Sequence, residues 1–161
     1  MKLIRIALLA TVTASLFASA PARADGPINL SLVTPISILK ETEAVTAFRF
    51  NLLYGKNTSV TGLDLGLVNH TTSGMGKGLT WGMVNLGEGS YKGAQLGTVN
   101  YTTGDVEGLQ WGFVNYSANT NGLQLGFVNY AQKLHGVQIG LINIIKTDGQ
   151  FPVFPIVNWS F

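Results

Sequence analysis

The chain has 161 residues, of which 11% are charged, with ten basic and eight acidic side chains, 20 glycines and no cysteine. This length suits one domain, and the lack of cysteine excludes a disulfide framework and any thiolate metal site. Charge this sparse, where about a quarter is usual in soluble domains, provides no basic surface for nucleic acid.

Residues 1–24 read MKLIRIALLATVTASLFASAPARA. Lys2 and Arg5 precede an apolar stretch from Ile6 to Ala18, and Ala22-Arg23-Ala24 is a small-x-small site. The stretch falls short of the roughly 20 apolar residues that span a bilayer, so it predicts a signal peptide cleaved near Ala24. Cleavage removes Lys2, Arg5 and Arg23, leaving seven basic against eight acidic residues, near −1. The basic balance of the precursor is therefore no evidence for an anionic partner. Residues 25–161 are expected to form a single β-repeat domain.

That domain opens with a short alternating segment at 28–34, INLSLVT, followed by a polar stretch containing Glu41 and Glu43. A degenerate strand follows at 45–55, including AFRFNLLYG. Clear repeats then fill 60–145, with units starting at Gly62, Gly78, Gly93, Gly108, Gly122 and Gly136. GLQWGFVNY at 108–116 returns as GLQLGFVNY at 122–130, and successive starts lie 16, 15, 15, 14 and 14 residues apart. A second degenerate strand, FPVFPIVNWSF, occupies 151–161.

Within a unit the apolar residues alternate, as in Leu109, Trp111 and Phe113, which predicts a strand. Two glycines in nine residues would be costly in a helix. The fold class is therefore all-β, with single-strand repeats of about 15 residues. HTTSGM, LGEGSY, YTTGDV, YSANT and YAQKL read as hairpin loops, which predicts an antiparallel up-and-down meander or a small β-barrel. The alternative is a parallel β-solenoid, in which Asn69, Asn85, Asn100, Asn115, Asn129 and Asn143 would stack as a ladder.

In a barrel, Leu63, Leu65, Leu67, Trp81, Leu109, Trp111, Phe113, Leu123, Leu125, Phe127, Ile139 and Leu141 are lipid-facing; otherwise they are core. Gln95, Gln110, Gln124 and Gln138 share one offset and form a polar row, either lining a barrel or striping a solenoid surface. Trp159 and the terminal Phe161 match the last-strand assembly signal of outer-membrane barrels, which makes membrane lipid and its insertion machinery the expected partners. Against this, three alternate apolar residues span only about 14 Å, short of the ~25 Å band of such barrels. Pro152 and Pro155 also interrupt the closing strand, and nine strands is an odd number. Edge-to-edge association into a homo-oligomer is the other partner these faces admit.

The units GLQLGFVNYA and GVQIGLINI, with the closing FPVFPIVNWSF, resemble the bacterial leptospira-type surface-repeat family over about Ala47 to Phe161. The resemblance implies a cell-envelope or surface protein of Gram-negative-like bacteria, and it carries over no catalytic or ligand-binding residue. Ala94 and Thr98 depart from the pattern in one unit.

Nothing in the chain assembles into chemistry. Gly74-Met75-Gly76-Lys77-Gly78 and Gly87-Glu88-Gly89 lack the following helix that a phosphate loop needs. His70 and His135 sit at different offsets without a ligand partner, and Glu41 and Glu43 lack a positioned third group. No catalytic residue, cofactor or metal is expected, and the function read from the sequence is non-enzymatic. Export leads to the outer membrane or cell surface, with the periplasm as the alternative.

Overall fold

The computed structural model describes residues 25–161, and the expected signal peptide lies outside them. Its strands in chain order are β1 (Gly26–Val33), β2 (Ile36–Ser37), β3 (Val45–Asn57), β4 (Thr61–Thr71), β5 (Gly76–Trp81) and β6 (Val84–Gly87). β7 (Tyr91–Leu96), β8 (Val99–Trp111), β9 (Val114–Leu125), β10 (Val128–Ile145) and β11 (Val153–Ser160) complete one sheet. The sheet winds into a solenoid of about eight turns. The all-β class is as expected, but the meander and barrel are replaced by the parallel β-solenoid weighed against them.

The register explains why. Gly93, Gly108 and Gly122 lie side by side, as do Gln95, Gln110 and Gln124, and Val99, Val114 and Val128. Each unit stacks on its own copy. In the meander Gly97 would face Gln110, and no carboxamide would meet another. In parallel register every side-chain amide finds the next one along the axis, so a whole column is satisfied at once.

The segments expected as hairpin turns are corners of the coil instead. YTTGDV, YSANT and YAQKL lie inside the continuous strands β8, β9 and β10. Coils of unequal length are accommodated there, with a register shift between Thr102 and Asp105. At the opposite corner the chain bends at Gly82-Met83, Gly97-Thr98, Gly112-Phe113 and Gly126-Phe127. Leu125 and Val128, on the two sides of one such bend, are both left half-buried, and the amides of Gln124 and Asn129 take the interior.

Among the described residues eight buried side chains are apolar and 22 are polar or charged, so the interior is a polar one. Asn100, Thr102, Val106 and Gln110 are the inward positions of one coil. Gly108, between the last two, has φ of 133°, and a Cβ there would lie 2.1 Å from the Gly93 carbonyl oxygen. Only glycine accepts both the conformation and the close approach.

Both ends are closed. At the start β1 lies parallel to β3 and antiparallel to β2, over a cluster of Leu39, Val45 and Val60. At the finish β11 reverses and runs antiparallel to β10, next to a cluster of Ala131, Leu134 and Ile145. The C-terminal strand with Trp159 and Phe161 thus caps a solenoid and does not close a barrel seam. Pro152 lies just before β11 and Pro155 falls at the bulge in its pairing with β10, between Phe154 and Ile156, where it removes no ladder bond.

Candidate functional site

Two directional ladders run through the interior. Asn51, Asn69, Asn85, Asn100, Asn115, Asn129 and Asn143 each pass an amide N–H to the Oδ1 of the next, at 2.7–2.9 Å. The second hydrogen of Asn115 goes to the Leu125 carbonyl at 2.9 Å, and Asn100 treats Trp111 likewise at 3.0 Å. The glutamines donate the other way. Gln138 donates to Gln124, Gln124 to Gln110 and Gln110 to Gln95, at 2.7–2.9 Å. Opposed directions let the two ladders' dipoles cancel. Each ladder ends in an acceptor without a partner, Asn51 Oδ1 at the first coils and Gln138 Oε1 at the last. The expected Asn ladder is present; the Gln row is buried, not a surface stripe.

The Gln column changes chemistry in the earlier coils, where Thr80, Asp64 and Arg49 take its place. Arg49 and Asp64 form a bidentate pair at 2.7 and 2.8 Å, with both side chains buried. Arg49 also donates to Asn57 Oδ1 at 3.3 Å and to the His70 carbonyl at 3.0 Å. Burial raises the Asp64 carboxyl above its ordinary value, against the opposing charge and hydrogen bond of Arg49. Tyr91, over Gly76 and hydrogen-bonded to Thr80 at 2.9 Å, has its phenol pushed up to about 12, chiefly by burial. The sequence reading missed this buried pair. Its only signal was the offset Arg49 and Asp64 share with the glutamines.

With amides inside, the apolar residues lie outside. The central outer column runs Leu30, Phe50, Leu65, Trp81, Leu96, Trp111, Leu125, Ile139 and Val157. Beside it stand Leu63, Leu79, Ala94, Leu109, Leu123 and Val137. The bend contributes Leu67, Met83, Thr98, Phe113, Phe127 and Leu141 on the other side. Nine layers at about 4.8 Å make a face roughly 38 Å long. Trp81 is 63% exposed, Trp111 60% and Leu141 63%. A groove of about 1060 Å³ runs between the central and bend columns, and Gly82, Gly97, Gly112 and Gly126 lie along its floor. The structure thus brings all twelve residues expected as lipid-facing or core onto one exterior face, together with Leu30 and Phe50 from the degenerate strands.

The far edge is polar. A smaller groove of about 740 Å³ there is lined by Lys92, Asp105, Glu107, Asn119, Lys133 and His135 among others. Between the two edges Tyr101, Tyr116 and Tyr130 stack at 4.6 and 4.9 Å. His70 links Tyr54 and Glu88, each at 2.7 Å. This chain resembles a catalytic relay, but none of its three residues lines either groove. His135 packs against Phe161 at the far end. Among the described residues no group of three or more His, Cys, Asp or Glu is placed to hold a metal. No protein-family model matches the chain, and no curated protein or solved structure matches it.

Proposed function

We propose that this protein is a non-enzymatic β-solenoid of the bacterial cell envelope that docks through its apolar face. One observation carries the reading: the interior is satisfied by amide ladders while a face of Leu, Trp and Phe, interrupted at Ala94 and Thr98, is left outside. Exposed apolar patches beyond a few hundred Å² mark sites of protein or membrane contact. The signal-like leader and the resemblance to surface-repeat proteins support export to the envelope.

Envelope fractionation with an alkaline wash tests this. The wild type is expected in the envelope fraction, released by the wash and without a heat-dependent gel shift. Trp111→Glu combined with Phe113→Glu should move it to the soluble fraction. Extraction by detergent alone, with a heat-dependent shift, would favour a membrane-spanning form instead.

A further inference from the structure

We propose that the apolar face seats a second copy of this chain, turned end for end, about a twofold axis between the Trp81 and Leu96 layers. The proposal rests on the docking reading above and names what docks.

The argument starts from the order of side-chain sizes. Leu96 is in the fifth of nine layers, flanked by Trp81 and Trp111, with Leu65 and Leu125 beyond them. Its layer also holds Ala94 and Thr98, the two residues that break the repeat's apolar pattern. The face therefore has a central depression between two tryptophan ridges and reads nearly the same from either end. A closed twofold dimer is self-complementary, and a face with ridges beside a depression can meet its own copy ridge to depression.

Orientation follows from symmetry. A twofold parallel to the solenoid axis allows no sliding between copies, so Trp81 would meet Trp81 and Trp111 would meet Trp111. An antiparallel twofold placed half a layer off centre does better. It sets Trp81 of each copy over the other's depression, and Trp111 against the other's Leu65 layer, large against small across the four central layers.

Area is at the lower edge of what specific association needs. With the axis half a layer off centre eight of the nine layers overlap, about 34 Å by 13 Å, and two such faces bury on the order of 900 Å² before the ridge flanks are counted. A lipid surface has less to hold. The column bordering the face carries Lys77, Lys92, Glu107, Asn121 and His135, with Lys92 already paired to Glu107 at 2.7 Å. This border of mixed sign gives anionic headgroups little to bind.

Sedimentation of the protein expressed from its full sequence and purified without detergent tests the proposal. Twice the mass of one chain is expected. Trp111→Glu should halve it with the β circular-dichroism signal intact, and Thr98→Arg, at an exposed bend, should do the same without removing a tryptophan. Asn119→Glu, on the polar edge, should leave the mass doubled.

The chain has no cysteine, so single spin labels report orientation. Labels at Lys92→Cys lie one layer apart in the dimer, whereas labels at His135→Cys lie seven layers apart, about 34 Å along the axis. Equal short separations at both positions, or a monomer mass, overturn the proposal. A monomer that still fractionates with the envelope overturns the dimer and leaves the docking reading, with lipid as occupant. A monomer found only in the soluble fraction overturns both.

Discussion

A single carboxamide shows how this interior is held. Asn115 accepts from Asn100 and donates to Asn129 and to the Leu125 carbonyl, so both of its amide hydrogens are used. Asn115→Ala leaves an Asn100 amide hydrogen and the Asn129 Oδ1 buried without partners, while the Leu125 carbonyl keeps the Gly112 N–H at 2.9 Å. At about 1–3 kcal/mol for each group so stranded, the expected loss is several kcal/mol. Urea unfolding followed by circular dichroism measures it. A loss below about 1 kcal/mol would mean that the ladder is not what fixes the coil. The exposed Gln132, on the polar corner, is the control, and Gln132→Ala should change stability by less than about 0.5 kcal/mol.

At the scale of one column, the Arg49–Asp64 pair replaces what later coils achieve with glutamine. Taking two charges out of water is costly, and the bidentate geometry offsets that cost only while both partners are present. Asp64→Asn strands the Arg49 guanidinium and should cost about 3–5 kcal/mol. The double change Arg49→Gln with Asp64→Gln sets an amide pair in place of the ion pair, separated from the Gln95 ladder by Thr80. It should cost less than the single change, because no charge is left buried without its partner. Thermal melts of both variants decide this. If the double variant is as damaged as the single one, the pair has a packing role that glutamine does not reproduce.

For the whole molecule, identical coils touch only their neighbours, so stability is close to a sum over coils and interfaces. Deleting Gly108 to Asn121 joins Glu107 to Gly122 and removes one full coil in register, because Gly108 pairs with Gly122. The shortened chain should fold with the same β spectrum and a smaller denaturant slope, in proportion to the surface lost. Deleting half that length puts amides outside and leucines inside, and should prevent folding. The in-register deletion also removes Trp111, one of the two tryptophan ridges, so dimer mass should fall even though the fold survives.

Much of this was legible along the chain. Period-two alternation in Leu109, Trp111 and Phe113 dictates strands, the recurring glycines exclude helices, and the fixed offsets of Asn and Gln define their columns. The twelve apolar residues could be grouped on one face because a strand's side chains alternate whatever it pairs with. The direction of pairing is not local. Antiparallel and parallel neighbours place the same residues on the same two faces of a strand, and short polar segments such as YTTGDV serve as hairpin turns or as coil corners. Stacking decided it, because only in-register copies let each buried amide bond the next. The same event reversed the polarity expected of a solenoid, though not that of the barrel: once Asn and Gln satisfy one another, they are the groups that can leave water, and the leucines and tryptophans remain on the outside. The buried partnership of Arg49 with Asp64 likewise waited for tertiary structure, since 15 residues of sequence separate two side chains that one turn of the solenoid brings to 2.7 Å.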